Sequence, residues 1–151
     1  VLIVNITAGD QQHLSAHEKA ENIASAIHLF EVICPDANFG CHHAYVLSLE
    51  LLHSLYLWLD NRKDEAFDAL ENARKNGLRF IQVCEDGIAH YHTPLVRLAK
   101  EIPGCSVDIA KQDYLTMAED WPWWTVPEVD QVKAEIQSDP RWDAWVARSQ
   151  L

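Results

Sequence analysis

Apolar residues recur every three or four positions along most of this chain, which is the spacing of one face of an α-helix. In residues 15–34 this spacing gives a single apolar stripe, and glutamates fall near its start, where the helix dipole favours negative charge. Helix-breaking residues follow at 35–40, with the sequence PDANFG. The pattern predicts a first helix over residues 16–34, with the stripe Ala20, Ile23, Ile27, Phe30 and Cys34.

Two further helices are predicted to form a hairpin over residues 42–76. The first, over 42–59, is apolar on most of its sides, as expected for a helix buried between neighbours. The second, over 63–76, follows the short polar turn DNRKDE, and short turns between helices favour antiparallel packing. Lys75, Asn76 and Gly77 predict its C-terminal end, because glycine readily adopts the left-handed conformation there.

The rest of the chain is also predicted to be helical. Residues 78–84, LRFIQVC, have the composition of a strand, but no second strand is evident to pair with them, so helix is preferred. EDGIAHYHTP at 85–94 is predicted to be a loop, and a further helix is predicted over 108–121. In the tail, Pro127 suits the first position of a helix, and Asp139 before Pro140 suits an N-cap.

The hairpin at 47–76 resembles a tetratricopeptide-type repeat. Leu49, Leu52 and Tyr56 occupy the large positions of its first helix, while Ala66, Leu70 and Ala73 occupy the small, large and small positions of its second. Small residues let paired helices approach closely, and large ones fill the groove between them. Two departures are that His53 replaces a very small residue and that the turn is one residue longer. The resemblance implies an all-α fold of antiparallel hairpins, stacked as a short solenoid.

Five of the six tryptophans lie in the last 31 residues. The final unit of a solenoid exposes an apolar face that must be covered, and each buried indole removes about 150–250 Å² from water. We therefore predict a tryptophan-rich C-terminal cap. An aromatic ligand pocket is the alternative. The five residues are Trp121, Trp123, Trp124, Trp142 and Trp145.

Three segments together are similar to the C-terminal helical region of bacterial regulators with an N-terminal Cro/λ-repressor-type helix-turn-helix. They are 33–76, then YHTPLV at 91–96, then SDPRWDAWVARSQ at 138–150. The resemblance implies an effector-sensing or dimerising domain without catalytic activity. It predicts that residues 1–151 form one helical domain of a longer protein, in which DNA is bound through an N-terminal domain upstream of Val1. A homodimer and a peptide or small-molecule effector are the implied partners.

The charge and composition of the chain bear on three further expectations, which are nucleic-acid binding, membrane insertion and cellular location. The net charge is −11, with 23 acidic and 12 basic residues, so this region by itself is a poor binder of nucleic acid. The most apolar segment, 44–59, is shorter than the ~20 residues of a membrane span and contains Glu50 and His53. Four cysteines without a CxxC pair are typical of reduced thiols, so a cytoplasmic protein is predicted.

The candidate chemistry is sparse, and we predict no enzyme, no cofactor and no metal. There is no GxSxG motif, and no cysteine has the local signature of a nucleophile. A zinc site from Cys41, His42 or His43, and His90 or His92 remains an alternative, as does a repeat scaffold without a small-molecule effector. The loop HYHTP, the hairpin groove and the aromatic tail supply the predicted ligand-binding residues, which are His53, Tyr56, His90, Tyr91, His92, Trp123 and Trp124.

Overall fold

A computed structural model describes residues 13–33, 40–90, 111–112, 114 and 127–150, and the account below concerns these residues. The described residues contain five helices and no strand, which confirms the prediction of an all-α protein. The helices are α1 (Ala16–Ile33), α2 (Gly40–Leu59), α3 (Lys63–His90), α4 (Pro127–Gln137) and α5 (Pro140–Arg148).

The first helix begins with a reciprocal pair of hydrogen bonds between Ser15 and Glu18. The backbone N–H of Glu18 donates to Oγ of Ser15 at 3.2 Å, and the backbone N–H of Ser15 donates to Oε2 of Glu18 at 2.8 Å. This capping box satisfies two backbone donors that the first helical turn leaves without partners. Because these bonds stabilise the charged carboxylate, they lower the pKa of Glu18 below its usual value.

A three-residue turn joins α2 to α3 and fixes the hairpin. Asn61 has a φ of 61°, the left-handed region in which asparagine is tolerated better than most residues. Its N–H donates to the carbonyl of Trp58 at 3.0 Å, and the N–H of Arg62 donates to the carbonyl of Leu57 at 2.8 Å. This pair of bonds is a Schellman motif, which ends α2 and turns the chain back along it.

The core of the molecule lies along this hairpin. The large residues of α2 that match the repeat motif are buried, and so are the small and large residues that face them from α3. The predicted stripe of α1 packs against α2, with Ala20, Ile23 and Ile27 buried and Phe30 partly buried. Cys34, its last member, lies outside the described residues. The stacking of successive hairpins into a solenoid stays a prediction.

The prediction that the third helix ends at Gly77 is wrong, because α3 continues to His90. Gly77 serves a packing role: a Cβ at this position would lie 2.5 Å from Cδ2 of Tyr114 and 3.2 Å from Cδ1 of Leu47. A glycine inside a helix costs only about 1 kcal/mol relative to alanine. Burial of Phe80 and Ile81 in the following turn outweighs that cost.

The prediction of a loop over 85–94 is also wrong as far as His90. The backbone of α3 is helical through Glu85, Asp86 and Gly87, and the preference for helix over strand at 78–84 is confirmed. Gly87 is the second glycine inside α3, and the helix continues through it as it does through Gly77. Residues 91–94 lie outside the described residues, as does most of the helix predicted over 108–121, although Lys111, Gln112 and Tyr114 have helical backbone.

The tail confirms the predicted helix starts. Helix α4 begins at Pro127, and α5 begins at Pro140 after the N-cap Asp139, whose side chain accepts the backbone N–H of Arg141 at 2.9 Å. Bonds from Arg141 lower the pKa of the Asp139 carboxyl. Val132 and Ile136, four residues apart on α4, are buried.

Two tail tryptophans anchor α5 to α3. Trp145 is fully buried and its Nε1–H donates to the carbonyl of Leu70 at 2.9 Å, while the Trp142 ring lies 4.9 Å from it between centroids. Each buried indole is a large apolar contribution, and the hydrogen bond satisfies its polar atom. Trp121, Trp123 and Trp124 lie outside the described residues, so the full cap stays a prediction.

Neighbouring helices define the space in which a site can form. Both α1 and α3 pack against α2, whereas, among the described helices, the backbones of α1 and α3 do not approach each other. The gap between them is therefore walled by two helices and floored by a third.

None of the described helices combines the length and apolar composition that crossing a membrane requires.

Candidate functional site

An open cleft of about 260 Å³ occupies the gap between α1 and α3, and we call it the acidic cleft. Each helix contributes polar residues at the spacing that places them on one helical face. Four apolar residues line part of the cleft: Ala24 and Ile27 from α1, Leu57 from α2 and Ala69 from α3. The polar residues are His28 and Glu31 from α1, Glu50 and His53 from α2, and Glu65, Asp68 and Asn72 from α3.

Glu50 and His53 form the back of the acidic cleft and are its most buried polar pair. Only 8% of the Glu50 side chain and 15% of the His53 side chain are exposed. Nδ1 of His53 lies 3.7 Å from Oε2 of Glu50, which is within ion-pair distance but too long for a hydrogen bond. Among the described residues, the buried Nε2 of His53 has no hydrogen-bond partner. The pair is therefore incompletely satisfied.

The rim of the acidic cleft is exposed and carries the other carboxylates. Glu65 is paired with Arg62, whose Nε donates to Oε1 at 2.8 Å, and this bond lowers the pKa of Glu65. Nδ1 of His28 lies 3.9 Å from Oε2 of Glu31, with both side chains largely exposed. No lysine or arginine lines the cleft among the described residues. Its electrostatic character is consequently negative.

Arg62 fixes α1 beside the hairpin at one end of the acidic cleft. Its Nη1 donates to Oε1 of Glu21 in α1 at 2.7 Å and lies 3.7 Å from Oδ2 of Asp60 in the turn. Nδ1 of His17 lies 2.9 Å from the same Asp60 oxygen, and that hydrogen bond raises the pKa of His17. Helix α1 is thus held to the turn by two charged contacts, from His17 and from Glu21.

The structure describes the side chains of two of the seven predicted ligand-binding residues, and these two lie in different surroundings. His53 lines the acidic cleft, whereas Tyr56 is buried in the hairpin core with Nζ of Lys19 at 5.2 Å from its ring centroid. The side chain of His90, the final residue of α3, lies outside the described part of the chain. Tyr91, His92, Trp123 and Trp124 lie outside it entirely.

Sequence reasoning missed Glu50 and the carboxylates that face it. The signal was present, because Glu50 and His53 are three residues apart in the predominantly apolar segment 44–59. A charged residue buried in such a helix requires a structural or functional reason. On α3, Glu65, Asp68 and Asn72 also share one face, but exposed acidic faces are common and give no signal by themselves.

The zinc alternative receives no support from the part of the chain that can be described. Within it, no group of three or more His, Cys, Asp or Glu side chains is arranged to hold a metal ion. Nδ1 of His43 lies 3.3 Å from Oδ1 of Asn76, where it links α2 to α3. The side chains of Cys41, His42, His90 and His92 lie outside the described residues.

A second, shallower groove lies where α4 meets the hairpin turn, beside Trp58. Nε1–H of Trp58 donates to Oε2 of Glu135 at 3.0 Å, and Nζ of Lys63 lies 4.7 Å from the centre of its ring. The polar atom and one face of this indole are already engaged by protein groups. The groove therefore has a structural explanation, and the acidic cleft is the stronger candidate site.

Comparison of the chain with protein-family models, with curated proteins and with solved structures finds no match. The functional interpretation consequently depends on the acidic cleft and on the sequence.

Proposed function

We propose that this chain is the effector-sensing domain of a DNA-binding transcriptional regulator and that the acidic cleft is its effector site. The observation that supports the proposal is the Glu50–His53 pair, which is buried between three helices without a complete set of hydrogen bonds. Buried polar groups are normally satisfied, and exceptions are concentrated where a protein binds or responds to something. The domain is proposed to be non-catalytic, cytoplasmic and homodimeric.

The mechanism is a shift between two packing states of α1. Among the described helices, the backbones of α1 and α3 each approach α2 but not each other, so an effector in the acidic cleft contacts side chains of all three helices. An effector that fits one position of α1 better than another favours that position by its difference in affinity. In a dimer, such a shift changes the separation of the two DNA-binding domains and so the affinity for the operator.

The test uses the full-length protein with its natural start. Its sequence upstream of Val1 is expected to contain a helix-turn-helix, and it is expected to enrich specific duplexes from a random DNA pool. Residues 1–151 alone serve as the control and should not bind, because their net charge of −11 repels phosphate. Absence of a DNA-binding segment upstream, or a full-length protein that enriches no duplex, overturns the proposal.

A repeat scaffold that binds a peptide is the second candidate. It is favoured by the cleft being open to solvent on one side, since an extended peptide requires an open groove. A scaffold of this kind needs no DNA-binding domain and no low-molecular-weight effector. A full-length protein that binds a basic peptide in the cleft but no DNA supports the scaffold over the regulator.

A further inference from the structure

The walls of the acidic cleft carry an excess of negative charge. Four carboxylates line it, on three different helices, and among the described lining residues there is no lysine or arginine. Arg62 does not line the cleft, and it neutralises only one of these carboxylates, that of Glu65, with which its guanidinium pairs. The cleft therefore offers binding energy to a cation and repels an anion. The four are Glu31, Glu50, Glu65 and Asp68.

Burial of Glu50 is an independent indication that something binds in the cleft. More than nine-tenths of its side chain is buried, and its Oε2 lies 3.7 Å from Nδ1 of His53, which is too far for a hydrogen bond. A buried carboxylate is costly unless hydrogen-bond donors surround it. A ligand that donates hydrogen bonds to Glu50 supplies what the protein leaves unmet, and charge-assisted bonds of this kind are strong in a low-dielectric site.

We propose that the acidic cleft binds a small organic cation through an ammonium group that donates to Glu50. The apolar residues Ile27, Leu57 and Ala69 are suited to contact a short alkyl chain beside that group. At the rim, Glu31 and Asp68 are suited to a second positive charge. The ligand class is therefore a short diamine. This inference rests on the proposed function only in taking the cleft as the effector site.

An organic cation fits the cleft better than a metal ion or a large ligand. In the described residues the carboxylates are spread over three helices, and no three His, Cys, Asp or Glu groups converge as metal ligands do. The volume of about 260 Å³ lies just below the ~300–1,000 Å³ of known ligand pockets, which favours a small molecule.

Isothermal titration calorimetry of the chain with 1,4-diaminobutane at low ionic strength tests the proposal. Saturable binding is expected, and added sodium chloride should weaken it, because the attraction is electrostatic. 1,4-Butanediol, which has the same chain length without charge, should not bind. Glu50→Gln should weaken diamine binding by at least about tenfold, since one charge-assisted hydrogen bond is lost.

Two matched variants keep the test decisive. Asp68→Asn changes an exposed rim residue without disturbing the core, so it should fold and bind the diamine more weakly than the unaltered chain. Asp143→Asn removes the same charge from an exposed position on α5, away from the cleft, and should bind normally. The proposal is overturned if the diamine does not bind, if butanediol binds equally, or if Asp143→Asn matches Asp68→Asn.

The ligand assignment and the regulator proposal fail in different experiments. A chain that binds the diamine while the full-length protein enriches no DNA retains the ligand assignment and loses the regulator. A full-length protein that binds DNA, while residues 1–151 bind no diamine, loses the ligand assignment and retains the regulator. The circular dichroism spectrum of each variant confirms that a lost affinity is not a lost fold.

Discussion

The α2–α3 hairpin meets α1 and α5 in opposite ways. Helix α5 is attached to α3 through Trp145, which is fully buried and has its polar atom satisfied by the carbonyl of Leu70. Helix α1 faces α3 across an open cleft, at whose back Glu50 and His53 are buried without complete hydrogen bonding. The contrast indicates that the α5 contact is built for stability, whereas the α1 contact retains unmet binding capacity.

The largest expected effect is at the α5 contact. Trp145→Ala should lower the free energy of unfolding by about 3–5 kcal/mol, because it leaves a cavity and removes the bond to Leu70. Urea denaturation followed by circular dichroism measures the change. Trp145→Phe is the matched variant and should cost less, since most of the ring volume remains. If Trp145→Ala costs no more than an exposed substitution such as Ala147→Ser, α5 is not anchored as described.

A smaller effect is expected where Tyr114 packs against α3. Gly77→Ala places a methyl group 2.5 Å from the ring and should cost about 1–3 kcal/mol, as overpacking does. In a Tyr114→Ala background most of this cost should disappear. Once Cδ1 of Leu47, 3.2 Å from the added Cβ, shifts by a few tenths of an ångström, alanine should gain up to about 1 kcal/mol, because it favours helix over glycine. The double-mutant cycle isolates the clash. An equal cost in both backgrounds would show that Tyr114 is not the cause.

In the acidic cleft, by contrast, a substitution should raise the free energy of unfolding. Replacing its buried pair by apolar residues of similar size, Glu50→Met with His53→Leu, should stabilise the chain by about 1 kcal/mol, because incompletely satisfied polar groups are removed. The same double variant should lose diamine binding. The urea concentration at the midpoint of unfolding, compared with that of the unaltered chain, shows whether the double variant is more or less stable. A clear loss of stability would show that the pair contributes to the fold.

The smallest effect concerns the contact of His17 with Asp60. Its hydrogen bond raises the pKa of His17 in the folded chain, so the contact stabilises fully below the unfolded pKa of ~6.5 and is lost as pH rises through the folded value. His17→Ala should therefore lower Tm slightly at pH 6 and not at pH 8.5. His13→Ala, which changes an exposed histidine ahead of the same helix, is the control and should show no such difference.

The hairpin was predictable because its determinants are local. Small and large residues at helical spacing identified the α2–α3 contact, and Asp139 with Pro140 identified the start of α5. The start of α1 was equally readable, since Ser15 and Glu18 have the spacing of a capping box. Boundaries set by a few neighbouring residues can be inferred from sequence alone.

The end of α3 and the acidic cleft depend on distant residues and were not predictable. Gly77 suits both a helix end and a close packing position, and only the location of Tyr114 distinguishes them. The cleft requires that His28, Glu50 and Asp68, from three helices, lie together. The separate patterns around His28 and Asp68 look like ordinary solvated faces. Glu50 stands out in an apolar segment, but its spacing from His53 does not report the gap between α1 and α3.

Continuation of α3 through Gly77 has a chemical consequence for the residue before it. In a flexible chain, asparagine followed by glycine deamidates readily. The glycine amide nitrogen attacks the side-chain carbonyl, ammonia leaves as the succinimide forms, and water then opens the ring to aspartate or isoaspartate. Within α3 the Gly77 nitrogen is held in the regular helical backbone, and the side-chain amide of Asn76 donates to the carbonyl of Asn72 at 3.0 Å. Conversion of Asn76 to aspartate and isoaspartate over storage, followed by mass spectrometry, therefore records how often this turn of the helix opens.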